Sequence, residues 1–477
     1  MTQTGAKAVL PLIINNESVV NDIKFDVTSP TTGDIIYQCA GASADDANRA
    51  AAAAKAAFPA WSKRSLYERR DILMKAAEIM LSRKEELIHY QMEETGAGRM
   101  FVEHTFMMGV NLIKDFAGRI STIEGRVPSA VQGNAIVFKE PYGVIWGIAP
   151  WNAPYILGVR AVAIPLAAGN TTILKGSELS PKCFWAIGDI FREAGLPEGC
   201  LNVLYHRSSD AAEVTNTLIG HPAVKKVSFT GSTTVGSIIA ATAGKYIKPV
   251  LLELGGKASA IVLDDANLEK AAMHCALGSF LHSGQICMST ERIVVQRSVA
   301  ENFRKVLADT AEKVFGKDAP APVLVTSATV DKNKKLVADA MSKGANVIFG
   351  DPKATEANGY SMRPMIVDNV TKDMDIYSTE SFGPTVSMIV VDSEDDAIAL
   401  ANDTEYGLTS AVFTSELFRG LRVAKQIESG AVHINGMTVH DEAVLPHGGW
   451  NSSGFGRFGG TTGYDEFLQT KTVTWAE

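Results

Sequence analysis

The sequence predicts an α/β protein with two domains built on parallel sheets, and two observations carry that expectation. A chain of 477 residues is too long for a single hydrophobic core, so two or three domains are expected. From Tyr142 onward, short β-branched runs alternate with helical segments, the pattern of βαβ units. Strands are expected over 144–148, 171–174, 201–204, 224–229, 249–253 and 259–263. The second half repeats the style, with strands expected over 292–296, 346–349, 385–391 and 431–434. Ahead of these lies a short leading segment with strand-like runs, then a helical stretch. Ser43 and Asp46 have the spacing of a capping box, and the Ala-rich run 50–57 behind them has high helix propensity. Helical patterning continues to about Gly118, with breaks at Gly96 and Gly98. The tail 471–475 reads as a strand with little of its own to pair with. No short repeat or low-complexity linker marks a domain border.

The composition, 46% hydrophobic and 21% charged with 41 glycines, is that of an ordinary globular protein. The formal net charge is −8 and no Lys/Arg cluster stands out, which argues against a nucleic-acid or anionic-membrane partner. The five cysteines, Cys39, Cys183, Cys200, Cys275 and Cys287, show no CxxC spacing. A disulfide framework or a metal site is therefore not expected, and a reducing compartment is. A leading Lys7 and an apolar run broken by Pro11 make a poor signal peptide. The uncharged stretch 142–159 has the length of a membrane span, but Gly143, Gly147, Pro150, Asn152 and Pro154 break it. Strand, loop and helix start are expected there, in a cytoplasmic protein.

Three segments carry residue types suited to chemistry. Gly284-Gln285-Ile286-Cys287 follows a helix of small and apolar residues, and a cysteine with a stabilised thiolate and a fixed position is a nucleophile. Taken alone, Cys287 reads as a buried structural thiol, the usual fate of a lone cysteine. Leu252-Glu253-Leu254-Gly255-Gly256-Lys257 closes an apolar strand with a carboxylate. Sites gather at such strand ends, and apolar surroundings tend to raise a carboxyl pKa; a solvated strand-end Glu is the plainer alternative. Phe229-Thr230-Gly231-Ser232-Thr233, with Gly236 beyond, is a strand entering a Gly turn and a helix, where amide groups can bind pyrophosphate. It is not a GxGxxG fingerprint.

Read together, these pieces resemble the aldehyde dehydrogenase superfamily. Pro150-Trp151-Asn152, Leu174-Lys175-Gly176-Ser177-Glu178, Phe229 to Thr233, Leu252 to Lys257, Gly284 to Cys287 and Glu380-Ser381-Phe382-Gly383-Pro384 match its signatures in order. The resemblance runs over nearly the whole chain. It implies a Rossmann-like NAD-binding domain (1–121 and 142–253), an α/β catalytic domain (254–455) and a small β oligomerisation element (122–141 and 456–477). A homodimer or homotetramer would follow. Cys287 would attack the aldehyde carbonyl, Asn152 and the Cys287 N–H would hold the oxyanion, and Glu253 would activate water to hydrolyse the thioester. Lys175 and Glu178 match residues that grip the adenosine ribose, with Glu178 favouring NAD over NADP. Gly231 and Ser232 would meet the pyrophosphate. Glu380 would hold the nicotinamide ribose, with Trp151 and Phe382 beside the coenzyme.

The segment Asn435-Gly436-Met437-Thr438-Val439-His440-Asp441-Glu442, with Arg160, resembles the salicylaldehyde, vanillin and benzaldehyde dehydrogenase branch. Arg160, Ile286, Met288 and His447 would then line the substrate pocket, the Arg160 guanidinium binding a phenolic or carboxylate oxygen. The plainer reading of Arg160 is an ion pair on a helix surface. Three departures stand out: Gly176 where the family usually has Pro, His447 for a frequent aromatic, and Trp450-Asn451 for a commoner small-or-apolar and Lys pair. Two other readings compete. A CoA-acylating semialdehyde dehydrogenase also forms a cysteine thioester but generally lacks the carboxylate base, and a non-catalytic binding protein of this fold would not need all three reactive residues.

Overall fold

The alternating runs form two large sheets, seen in a computed structural model that describes residues 9–131, 133–354, 356 and 358–476. Across the first sheet the order is Gly454–Phe455, Val250–Glu253, Val224–Thr230, Val144–Ile148, Thr171–Lys175, Leu201–Leu204, Leu12–Ile14, Glu17–Val19. The five strands from Val250–Glu253 to Leu201–Leu204 are mutually parallel. Taken in chain order they run 3-2-1-4-5, the doubly wound arrangement. The order reverses between Val144–Ile148 and Val224–Thr230, and ligands gather at the carboxyl ends of strands beside such a reversal. The segments leaving those two ends contain Trp151-Asn152 and Gly231-Ser232. The broken apolar stretch is, as expected, strand, loop and helix: Val144–Ile148 is buried throughout, and helix Pro154–Ala167 starts with a proline at its first position.

The second sheet runs Asn346–Phe349, Met365–Asp368, Thr385–Val391, Thr290–Gln296, Ala258–Val262, Thr409–Phe413, Ala431–Ile434, with only the first antiparallel to its neighbour. Two of its strands, Met365–Asp368 and Thr409–Phe413, were not expected. Both are buried throughout, so they show none of the in–out alternation that marks a strand in sequence. Gly454–Phe455 returns to the first sheet from within the stretch 254–455, pairing antiparallel with Val250–Glu253.

The helical stretch is four helices, Ala44–Ser62, Leu66–Ser82, Lys84–Thr95 and Arg99–Gly118. Ser43 and Asp46 form the expected reciprocal cap, and Gly96, at φ +69°, ends the third helix in the left-handed conformation. The tail does find a partner: Leu468–Trp475 pairs antiparallel along its length with Asn134–Pro141. No helix among the described residues is long and apolar enough to cross a membrane.

Candidate active site

Residues 254–257 carry the chain from the end of Val250–Glu253 in one sheet to the start of Ala258–Val262 in the other. Glu253 therefore stands at the junction of the sheets, 1% exposed. Cys287 arrives from the second sheet's side, between a tight turn and strand Thr290–Gln296. In that turn His282 and Ser283 adopt φ +48° and +57°, followed by Gly284 at +70°. A side chain on Gly284 would meet the Gly383 carbonyl at 2.1 Å, so only glycine fits the close approach. Asn152, 4% exposed, donates from its side-chain amide to the Gln285 carbonyl at 3.0 Å, tying the first sheet's switch-point loop to the Cys287 loop.

Two cavities meet at these residues. One, of about 390 Å³, lies beside Trp151, Gly231, Ser232, Glu380 and Phe382. The other, of about 470 Å³, lies beside Phe101, Met108, Arg160, Ile286, Met288, Met437 and His447. Their walls share Asn152, Leu157, Glu253 and Cys287. A group bound on one side can thus react with a group bound on the other across the Cys287 sulfur.

The charges at the junction are arranged through residues far apart in sequence. His447 Nε2 lies 3.8 Å from Glu253 Oε1, and its Nδ1 lies 3.8 Å from Asp441 Oδ1. Asp441 is in turn ion-paired to Arg160, both partners being buried. Burial pushes the Glu253 carboxyl up, but His447, Arg160 and the Cys287 thiol outweigh it and hold it below the ordinary glutamate range. The raised carboxyl expected from an apolar strand end is thereby reversed. Burial pushes the Cys287 thiol well up, and the neighbouring Glu253 and Glu380 add to that against Arg160. Arg160 is not on the surface, as the plainer sequence reading would have it. Its guanidinium is 3% exposed and stacks over Phe458 at 5.1 Å.

On the other side, helix Thr233–Lys245 begins at Ser232, whose hydroxyl accepts the Val235 N–H. The Phe229 ring fills the space a side chain on Gly231 would need, 2.5 Å away. Glu380 accepts the Gly256 N–H at 2.9 Å, and burial with Glu291 nearby pushes its carboxyl up to about 7. Trp151 meets Phe382 edge-on at 6.0 Å. Lys175 and Glu178 lie at the end of the next strand out, 3.3 Å apart, outside this cavity's wall but beside Leu179, which is in it. Burial pushes the Glu178 carboxyl up, yet Lys175 and His206 bring it below the usual range, so it is an anion at neutral pH. A helix start flanked by two carboxylates fits a dinucleotide, with the pyrophosphate on the helix amides and the ribose hydroxyls on the carboxylates.

Residues 18–473 match the Aldehyde dehydrogenase family. The chain is 42% identical over 474 residues to a vanillin dehydrogenase of Pseudomonas fluorescens, covering 98% of this chain and 97% of that one. The chain belongs to the aldehyde dehydrogenase family. Two solved structures agree with that membership. A salicylaldehyde dehydrogenase from Pseudomonas putida G7, complexed with salicylaldehyde, superposes with a TM-score of 0.95 at 37% identity over 98% of both chains. An E. coli NADP-dependent enzyme does so at 0.94, with 33% identity over 98% of both chains.

This aldehyde dehydrogenase uses NAD(P), and its fold brings nearly all of the site residues expected from sequence around one junction. Gly176 has a packing reason, because the Phe184 ring lies 2.5 Å from where its side chain would begin. Trp450 and Asn451 stand outside both cavity walls. The sequence did not single out Glu291, which accepts the Ser381 and Phe382 N–H groups and pairs with Lys257 at 2.5 Å, shaping the loop that carries Glu380. Its signal was a Thr-Glu-Arg start to an otherwise apolar strand. Asp441 was read as part of a branch signature, and nothing local pointed to its partnership with Arg160.

Proposed function

We propose that this dehydrogenase oxidises an aromatic aldehyde bearing a hydroxyl or carboxylate group, such as a hydroxybenzaldehyde, to the carboxylic acid, with NAD as coenzyme. One observation supports the substrate above others. The aldehyde cavity is walled mainly by apolar and aromatic side chains, yet it contains Arg160, whose Nε and Nη1 have no hydrogen-bond partner among the described residues. Buried donors without partners are rare in a finished interior, and two on one guanidinium suit an incoming oxygen.

Cys287 would add to the carbonyl carbon, and the Asn152 amide with the Cys287 N–H would hold the resulting oxyanion at ~3 kcal/mol per donor. A bound nicotinamide would supply the hydride acceptor, and Cys287 would then carry the acyl group as a thioester. Both Glu253 oxygens lack a partner among the described residues, which leaves them free to take a proton from the attacking water. Lys175, Glu178, Ser232 and Glu380 would hold the coenzyme. The exposed Phe138, Val473 and Trp475 on the two-stranded ribbon favour a homo-oligomer joined there, since such a ribbon is marginal alone. A cytoplasmic setting accords with five free cysteines.

The substrate is tested with a panel of aliphatic, aromatic and hydroxylated aldehydes, where aromatic ones should surpass acetaldehyde in kcat/KM. Arg160→Met should lower kcat/KM for hydroxylated or carboxylated aldehydes by about 1.5–3 kcal/mol, some 10- to 150-fold, and benzaldehyde far less. The change strands buried Asp441, so Arg160→Met/Asp441→Asn is the control for stability. Equal losses across the panel would assign Arg160 to the fold. For the coenzyme, the parent should prefer NAD, and Glu178→Gln should narrow the gap by removing an anion that repels a 2′-phosphate. A parent that turns over faster with NADP would reverse this reading.

A further inference from the structure

A base that takes a proton from water must lose it before the next turnover, and Glu253 has few ways to do so. It is 1% exposed. Two ionisable side chains reach its carboxylate, the Cys287 thiol and His447. Cys287 is freed as a thiolate by hydrolysis and must be a thiolate again to attack the next aldehyde, so it cannot keep the proton, which leaves His447 as the way out. The imidazole is held on both sides. Its backbone N–H and C=O both bond to Phe458, at 2.7 and 2.8 Å, and Nδ1 faces Asp441 while Nε2 faces Glu253. Asp441 and Arg160 also line a further cavity of about 450 Å³, whose wall includes His104, Asp115 and Glu442.

We infer that His447 carries the proton away from Glu253 after thioester hydrolysis, passing it by way of Asp441 to the cavity beyond. This rests on Glu253 being the base that activates water. Asp441 selects the tautomer with hydrogen on Nδ1, leaving the Nε2 lone pair for Glu253, as a carboxylate behind an imidazole does in other relays. Each 3.8 Å gap is closed by a small rotation or one water, and such contacts tighten only in the reacting complex. The balance is simple. Water's oxygen joins the acyl carbon, the C–S bond breaks with its electrons returning to sulfur, one water proton moves to Glu253 and then to Nε2, and the other leaves with the carboxylic acid. The imidazolium gives up its Nδ1 proton on the far side, so no oxidant or reductant is needed. The charged and titratable groups around His447 are Glu253, Asp441 and Arg160, with His433 and His440 beyond. Burial pushes Asp441 up, but Arg160 and His447 outweigh it, so it passes a proton on instead of keeping it.

The test uses the full-length protein, a hydroxybenzaldehyde and NAD, in stopped flow and steady state. His447→Gln and His447→Phe should keep an NADH burst near one per active site while steady-state turnover falls on the order of 10²-fold, the low end for losing a proton-transfer group. The acidic limb of kcat should also move up by about one pH unit or more. Glu253 works when deprotonated, and without His447, one of the groups that hold it down against burial, its pKa rises, so activity fails earlier on acidification. In His447→Gly, added imidazole should restore turnover, and it should not in His447→Phe. Should the glycine variant not fold, the glutamine variant's burst and pH limb decide alone. Variants with parental kcat and pH limb, or a burst that falls with turnover, would overturn the relay. A parent with no aldehyde-dependent NADH would instead sink the proposed activity itself.

Discussion

Cys287→Ala is expected to abolish aldehyde-dependent NADH formation while leaving coenzyme binding intact, because every covalent step begins at that sulfur. Binding is read by titrating NADH fluorescence, and turnover near the parent's would remove Cys287 from the mechanism. The other four cysteines are the internal control. Cys39, Cys183, Cys200 and Cys275 are all buried, and none lines either cavity. Single alanine variants of each should stay active if they fold. Cys183→Ala is the most exposed to a folding cost, since its thiol donates to buried Glu94 at 3.0 Å.

Glu253→Gln should separate the two halves of the reaction. Steady-state turnover should fall by the ~10²–10⁴-fold typical of losing a general base, while the first-turnover NADH burst survives or grows. Mass spectrometry of quenched protein should then find the acyl group on the peptide containing Cys287. Gln is nearly isosteric, and among the described residues no hydrogen bond of normal length to Glu253 would be broken, so circular dichroism should be unchanged. The electrostatics add a second reading from the same variant. Glu253 is one of the groups pushing the Cys287 thiol up, so neutralising it should speed alkylation of Cys287 near pH 7. Loss of burst and turnover together would mean that Glu253 also activates the thiol. Unchanged turnover would move the base elsewhere and favour transfer to CoA.

Much of this molecule is legible in its sequence, for definite reasons. The parallel strands of the first sheet are short apolar runs punctuated by glycine and helix starts, and each expected run overlaps a strand. Local chemistry was equally clear where it is local: Ser43 caps three residues away, and Gly96 stops a helix where it stands. What could not be read is what depends on tertiary approach. Arg160 and Asp441 are 281 positions apart, and no periodicity links them. The depressed Glu253 carboxyl follows from His447 and Arg160 arriving on other elements, so a reading of its strand alone gave the opposite sign. Strands Met365–Asp368 and Thr409–Phe413 were lost for a related reason, since burial on both faces erases their pattern.

The two cavities share four side chains, Asn152, Leu157, Glu253 and Cys287. That narrow septum makes the protein modular. The proposed aldehyde side is built in large part from helices Arg99–Gly118 and Pro154–Ala167 and the segment 437–447, whereas the proposed coenzyme side uses the switch-point turns and the loop around Glu380. Methionines Met100, Met108 and Met437 belong to the aldehyde side alone, and their unbranched chains repack around rings of different outline. Selection or design can therefore remodel which aldehyde enters by exchanging those methionines, while the machinery that turns it over is inherited unaltered.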